Sequence, residues 1–290
     1  MLKGVILILL AATAWGMGGV AGQYLYQYHE AEAVWMVMMR QLLAGTLFLS
    51  YAALVQKQPI FQAVRTMPRD MLLFAILGIE GAQLGFYYCI SLCNAATATV
   101  IQYTAPIYVM LYMAYKEGRC PEGREIVGVI GAFLGVFLIS THGRLDSLAI
   151  SPVALIIGLI SAFSYAYYTV KPAEMLKHYS SATIIGWGQL ISGLVLLTVR
   201  NPFHLEGSWN MAAWLAFAYL LLGATVLSYA LYLAGLKIIG PTKASLISCA
   251  EPLASIIAVV VFLDTVLVPI DYLGMGAIIF TVLLLSIPKK

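Results

Sequence analysis

The stretch RQLLAGTLFL at residues 40–49 recurs in altered form as GQLISGLVLL at residues 188–197, with Gln, Leu, Gly and Leu in the same register. Three shorter matches keep the same order: AWG at 14–16 with SYA at 164–166, TAP at 104–106 with AEP at 250–252, and EIVG at 125–128 with DYLG at 271–274. In chain order the separations are 150, 148, 146 and 146 residues. Such a constant spacing indicates an internal repeat. It predicts two copies of one unit, at residues 1–145 and 146–290.

The composition of the chain indicates a membrane protein. Hydrophobic residues make up 62% of the 290 residues and charged residues only 10%, whereas a soluble domain has about 25% charged residues. So few charges cannot cover a water-facing surface. The net charge of +3 comes with no basic patch of interleaved aromatic residues, which argues against a nucleic-acid partner.

Ten segments are long and apolar enough to cross a bilayer, which requires about 20 residues each. Lipid cannot satisfy free backbone groups, so each segment is predicted to be a helix. The first segment runs without charge through Gly22, which favours a membrane span over a signal peptide. The predicted spans are 4–24, 33–55, 71–93, 96–115, 125–141, 152–170, 181–199, 211–235, 242–263 and 270–287.

The distribution of Lys and Arg predicts the orientation of the spans. With the N-terminus in the cytoplasm, thirteen of the 16 Lys and Arg lie inside, Arg144 and Arg200 lie outside, and Arg40 falls within a span. This bias follows the positive-inside rule and places both termini in the cytoplasm, in a bacterial inner membrane. Five is an odd number of spans, so the second unit enters from the opposite side. The predicted fold is therefore all-α, with ten transmembrane helices in two inverted five-helix repeats, an architecture typical of alternating-access carriers.

Several of these residues resemble the pattern of the drug/metabolite transporter superfamily, and specifically its EamA-like branch. In the first unit the matching positions are Trp15, Gly16, Arg40, Pro106, Glu117, Gly128, Gly131 and Gly135. In the second unit Pro252, Gly274 and Asp264 fit, whereas Tyr165 and Gly188 stand where the family has Trp and Arg. The resemblance implies a secondary transporter, often an exporter of amino acids or related metabolites.

Polar residues at membrane depth indicate where the chemistry takes place, because an ionisable group there needs a polar cavity or a partner. Glu80, Arg40 and Glu251 lie within predicted spans, and stripes of Ser, Tyr, Gln and Thr recur every three or four residues. These stripes predict a central polar cavity lined from both units, with spans five and ten at the periphery. The candidates for substrate binding or coupling are Trp15, Arg40, Glu80, Gln83, Gln102, Tyr103, Tyr165 and Glu251.

Structural interpretations of the same residues stay open. Arg40 either binds a substrate carboxylate or holds a buried Glu, and Ser or Thr stripes often only bond neighbouring helices. Pro106 and Pro252 interrupt equivalent helices and are candidate gating hinges or static kinks. Small residues such as Gly131 and Gly135 allow close helix packing, within the chain or in a homodimer.

The leading hypothesis is a secondary transporter that moves an amino acid, amine or related organic compound across the cytoplasmic membrane, with Glu251 or Glu80 coupling transport to protons. No cofactor or metal is expected, since the chain contains no phosphate-binding loop and its cysteines form no ligand motif. The alternatives are an intramembrane enzyme, for which no His-Glu-x-x-His or Gly-x-Ser-x-Gly motif is present, and a channel or scaffold.

Overall fold

A computed structural model describes residues 1–92, 98, 101–144, 146, 151–254 and 268–286, and the description below concerns those residues. They contain helices and no strand. Three segments are π-helical, namely Tyr51–Val55, Phe74–Glu80 and Leu222–Leu227. The α-helices are α1 (Leu2–His29), α2 (Ala33–Ser50), α3 (Ile60–Thr66), α4 (Pro68–Leu73), α5 (Gly81–Leu92), α6 (Ala105–Lys116), α7 (Gly123–Thr141), α8 (Pro152–Met175), α9 (Ser181–Leu196), α10 (Met211–Leu221), α11 (Ser228–Ile239), α12 (Pro241–Ser248) and α13 (Pro269–Ser286).

Several helices begin where the sequence supplies an N-cap. The side chains of Glu32, Ser151, Ser180 and Asn210 accept hydrogen bonds from backbone amides in the first turns of α2, α8, α9 and α10. These amides have no partner inside their own helix, so a side-chain acceptor stabilises the start of the helix. The predicted loops between these spans therefore end where the capping residues stand.

The helices form an integral, multi-pass membrane protein. Five runs in the described chain are long and apolar enough to span a membrane: Leu2–Gly22, Ala33–Val55, Pro68–Cys89, Pro152–Met175 and Met211–Ile239. Large apolar side chains such as Leu54, Ile130 and Phe280 are exposed on the outside of the bundle. Contiguous apolar surface of this kind fits lipid rather than water. The count of ten spans and the orientation of the termini remain predictions.

Helices from the two sequence repeats pack against each other in pairs. α1 packs with the α10–α11 run, α2 with α9, α5 with α8, α6 with α12, and α7 with α13. When the helices of the first predicted unit are replaced by their counterparts in the second, and the reverse, the same pairs result. The division into two units stays a prediction. The π-helical segments also match, because Phe74–Glu80 and Leu222–Leu227 begin 148 residues apart in equivalent helices.

Ion pairs tie the two units together at both ends of the bundle. At one end Lys116 bonds Glu174. At the other end Arg200 lies 3.2 Å from Glu32 and 2.5 Å from Glu206. The hydrogen bond from Arg200 holds the pKa of Glu206 below its ordinary value, so this ion pair is maintained at neutral pH.

Glycine allows the closest of these contacts. A Cβ on Gly45 would lie 2.5 Å from the backbone nitrogen of Leu190, so α2 and α9 touch backbone to backbone. The paired glycines Gly131 and Gly135 likewise face Thr281 and Ile278 of α13 in the same chain. Their close packing is therefore used inside the chain, and these two positions give a homodimer no support.

We expect Gly45→Ala to destabilise the protein by about 1–3 kcal/mol, because the new methyl group must push α2 away from the α9 backbone. Gly276→Ala in α13 is the matched control, since a Cβ there meets nothing within 4 Å. Thermal unfolding in detergent measures both variants. A melting temperature for Gly45→Ala equal to that of Gly276→Ala would contradict the close contact.

Two helices are interrupted at equivalent places. Residues 101–102 are helical, Tyr103 and Thr104 form a turn, and α6 begins at Ala105. In the second unit α12 ends at Ser248, residues 249–250 form a turn, and residues 251–254 are helical again. A proline follows each turn and has no N–H to donate to the preceding turn of helix. The expected kinks at Pro106 and Pro252 are thus breaks in the helices, and a role in gating stays a prediction.

Candidate functional site: a central cavity lined from both units

A cavity of about 150 Å³ lies between the paired helices. It is lined by helices of both units and by the two interruptions, and no described residue of α7 or α13 reaches it. The lining residues are Trp15, Gly18, Gly19, Arg40, Ile79, Ala82, Gln83, Phe86, Tyr87, Gln102, Tyr103, Tyr165, Tyr168, Leu220, Ala224, Tyr229 and Glu251. The cavity matches the predicted position of a polar site with spans five and ten outside it.

Seven of the eight candidate residues lie in this cavity. They are Trp15, Arg40, Gln83, Gln102, Tyr103, Tyr165 and Glu251. Glu80 is buried outside the cavity, and Pro106 and Pro252 are buried beside the helix breaks. Asp264, which resembles the acidic residue of the family pattern, lies outside the described residues. The shared location makes the seven residues a candidate site, while their binding role stays a prediction.

The acidic part of the cavity is built on the interrupted helix of the second unit. Glu251 is half-buried at the point where the helix resumes, and the Tyr103 hydroxyl donates to its Oε2 at 2.6 Å. Tyr165 bonds the Ser248 hydroxyl at 3.1 Å, on the other side of the break. Residues on both sides of this break are therefore held by tyrosines from the first and second units.

The basic part of the cavity lies on α2. Arg40 is 9% exposed and donates from Nη2 to Oε1 of Gln83 at 2.6 Å. This bond turns the Gln83 amide nitrogen toward Tyr229, whose hydroxyl it meets at 2.5 Å. Gln83 and Tyr229 are 146 residues apart and lie on α5 and α11. The chain Arg40–Gln83–Tyr229 thus links the units and fixes the direction of the guanidinium.

Gln102 has a structural contact in addition to its place on the wall. Its amide nitrogen donates to the Ser161 hydroxyl at 2.9 Å and to the Ala82 carbonyl at 3.1 Å. Both donor hydrogens of the amide are therefore used between α5 and α8. Gln102 positions the interrupted helix of the first unit, and its carbonyl oxygen is the group available to a ligand.

Aromatic rings form one wall of the cavity. The Trp15 ring lies 5.5 Å from Tyr229 and 5.2 Å from Tyr232, measured between centroids. Tyr168 stacks at 5.9 Å on Tyr165 and at 5.5 Å on Tyr232. Of these four tyrosines, only Tyr165 is among the binding residues predicted from the sequence. The tyrosines' spacing of three residues, on α8 and again on α11, was the signal for a shared aromatic face.

Glu80 was predicted to line the cavity but lies outside it, because the segment that contains Glu80 is π-helical and not α-helical. The segment Phe74–Glu80 is π-helical, and α5 begins only at Gly81. A π-helix holds more residues per turn than an α-helix, so α-helical spacing does not carry back through this segment. The cavity receives Ile79 and Gln83, while Glu80 turns away from it and is 7% exposed.

We expect Pro252→Ala to lower transport, because the new N–H can bond the Ser248 carbonyl, continue the helix and move Glu251. Pro269→Ala is the matched control, since Pro269 begins α13, where a missing N–H costs little. Initial rates of solute uptake by the reconstituted protein measure both variants. Equal rates in wild type and Pro252→Ala would show that the break is a static feature.

The apolar bundle and its polar interior define an integral membrane protein that is able to hold a polar solute at membrane depth. The chain belongs to the EamA-like transporter family, whose model matches residues 2–141 and again residues 152–287. The resemblance drawn from the sequence is confirmed, and the chain is a membrane transporter of the drug/metabolite transporter type.

Named relatives agree with this class. The chain is 33% identical to "Uncharacterized inner membrane transporter YicL" of Salmonella typhimurium over 99% of this chain and 96% of the relative. It is 26% identical to the "Threonine/homoserine exporter RhtA" of Escherichia coli K12 over 72% of this chain and 68% of RhtA. It is 22% identical to the "Riboflavin transporter ImpX" of Fusobacterium nucleatum over 98% of each. These names indicate transporters rather than enzymes.

The fold is also similar to that of a protein whose crystal structure has been solved. The two structures agree with a TM-score of 0.83 over 98% of this chain and 96% of the other, at 15% sequence identity. At this identity the similarity shows a common fold and carries no information about substrate.

Proposed function

We propose that the protein is a secondary transporter that binds a zwitterion, such as an amino acid, in the central cavity and moves it by alternating access. The observation that carries this proposal is that Arg40 and Glu251 line one cavity from different units, together with several aromatic rings. One positive and one negative side chain match the two charges of an amino acid.

The cavity chemistry gives each group of the substrate a partner. A guanidinium binds a carboxylate through two parallel hydrogen bonds, which is the role of Arg40. Glu251 accepts from the substrate ammonium, and the faces of Tyr165, Tyr168 and Trp15 add cation–π attraction. Binding would leave no net charge inside the cavity, which reduces the cost of carrying it through the bilayer.

The arrangement of the chain supports alternating access. We propose that the ten predicted spans form two inverted five-helix units, 1–145 and 146–290, with both termini in the cytoplasm. The helix pairs that join the units map onto each other when the units are exchanged. Broken helices beside a midplane site are a feature of such carriers. The inner-membrane name of YicL supports the cytoplasmic membrane of a bacterium, and the exporter name of RhtA supports an amino-acid substrate and export.

A flat aromatic solute is the second candidate, because the stacked rings of Tyr165 and Tyr168 line the cavity. The name of the riboflavin transporter ImpX supports this candidate. Such a solute would use the aromatic faces and leave Arg40 and Glu251 without opposite charges to bind. The two candidates therefore differ in their dependence on these two residues.

Uptake into proteoliposomes tests the proposal. The panel contains L-threonine, homoserine and riboflavin. It also contains two analogues of threonine, an amine that lacks the carboxylate and an organic acid that lacks the ammonium group. We expect saturable uptake of the amino acids, with weaker uptake of the amine and the acid. Saturable uptake of riboflavin alone would favour the second candidate, and uptake without saturation would indicate a channel.

A further inference from the structure

Glu80 and Gln41 form a second polar site behind the cavity. Glu80 is 7% exposed and Gln41 has no exposed surface, and neither residue lines the cavity. In the described part of the chain, neither carboxylate oxygen of Glu80 and neither polar atom of the Gln41 amide has a hydrogen-bond partner. The two side chains lie beside each other without the geometry of a hydrogen bond. Unpartnered buried polar groups are rare and require an explanation.

The surroundings of Glu80 do not neutralise a negative charge by direct contact. From α2, Arg40 acts on the carboxylate electrostatically, but no ion pair within 4.0 Å joins them among the described residues. From α8, Tyr168 packs against Gly78 in the preceding turn. The α9 sequence, residues 181–196, contains no ionisable side chain. A proton on Glu80 would remove the buried charge and supply a donor for the Gln41 carbonyl.

We propose that Glu80 and Gln41 form an occluded proton site, distinct from the cavity, and that Arg40 couples this site to the substrate. The inference rests on the proposed function and assigns different roles to the two buried carboxylates. Glu251 lines the cavity and binds substrate, whereas Glu80 carries the proton.

Arg40 supplies the coupling because it lines the cavity and directly precedes Gln41, the neighbour of Glu80, on α2. When Glu80 is protonated, its O–H donates to Gln41 and the guanidinium serves the substrate carboxylate alone. When the O–H bond breaks, the proton passes to water on the open side, and the carboxylate left behind attracts Arg40 away from the substrate. Proton and substrate therefore favour each other's binding, by the same factor in both directions.

This linkage makes proton and substrate travel in the same direction. An inward proton gradient then drives uptake of the amino acid. The same carrier exports when the internal concentration of the amino acid outweighs the proton gradient. Antiport, in which proton and substrate compete, would require the opposite sign of coupling.

Infrared difference spectra between pH 5 and pH 9 test the proton site without any substrate, using the full-length protein in liposomes. We expect a protonated-carboxyl band that disappears at high pH in wild type, with a Glu80 component that persists in Glu251→Gln and is lost in Glu80→Gln. Gln41→Leu should shift this band, because it removes the acceptor of the O–H, whereas Gln189→Leu, at the equivalent position of α9, should not. Identical difference spectra for wild type and Glu80→Gln would overturn the proposal.

L-Threonine uptake tests the coupling. Because Gln mimics the neutral side chain, Glu80→Gln should keep threonine exchange across equal pH and lose the acceleration caused by an inward proton gradient. A gradient response in Glu80→Gln equal to that of wild type would contradict the role of Glu80. Absence of saturable threonine flux in wild type would count against the proposed amino-acid substrate, while the infrared result still decides the proton site.

Discussion

Glu251→Gln should reduce the initial rate of amino-acid uptake by about 30- to 4,000-fold. The variant keeps the shape of the side chain and an oxygen that can accept from Tyr103, so the helix break should stay in place. It removes the negative charge that faces the substrate ammonium. Loss of one partner in a buried charge pair costs about 2–5 kcal/mol, and each 1.4 kcal/mol is about tenfold.

The matched control for this variant is Asp146→Asn, since the Asp146 side chain is 69% exposed and does not line the cavity. Its uptake rate should equal that of wild type. The sharper comparison uses the deaminated acid as substrate, which lacks the ammonium. The Glu251→Gln change should affect uptake of this acid much less than uptake of the amino acid, and an equal loss for both would contradict the assigned role.

Arg40→Ala should cause a loss of similar size. The substrate carboxylate would enter the cavity without a cation, which weakens its binding by about 2–5 kcal/mol. The variant also removes the 2.6 Å bond to the Gln83 carbonyl oxygen, which holds the Gln83 amide nitrogen toward the Tyr229 hydroxyl. Arg40→Lys should recover part of the activity, since a lysine keeps the charge but not the two parallel donors.

Arg144→Ala is the control, because Arg144 is 72% exposed and bonds Asp146 outside the cavity. Initial uptake rates of the amino acid and of its decarboxylated amine are compared in each variant. Arg40→Ala should impair the amino acid far more than the amine. Equal losses for the two solutes would mean that Arg40 has a structural role and does not bind the carboxylate.

Much of the fold followed from the sequence because membranes restrict the possible structures. Apolar runs of about 20 residues must be helices, while the matches at residues 40–49 and 188–197 predict a repeat whose bounds stay a prediction. Seven candidate side chains meet in one cavity for the same reason, since polar groups at membrane depth avoid lipid. These parts of the prediction used burial and periodicity alone.

The remainder depended on details that periodicity does not contain. Glu80 leaves the cavity because its turn of helix is π-helical, and an α-helical wheel cannot show this change of spacing. The sequence does not predict the aromatic wall, since tyrosines in membrane helices also occur at the lipid–water interface. Contacts between units, such as Gln83 with Tyr229, depend on how the helices pair, which a single sequence does not give.

Counterflow of radiolabelled L-threonine tests the central claim most directly. Proteoliposomes are loaded with unlabelled threonine, diluted into labelled threonine at equal pH, and followed over time for wild type and Glu251→Gln. An alternating-access carrier with its substrate between Arg40 and Glu251 predicts a transient accumulation of label above equilibrium in wild type and none in Glu251→Gln. Label that only rises to equilibrium at the same rate with loaded and empty liposomes, or accumulates equally in Glu251→Gln, would contradict this account.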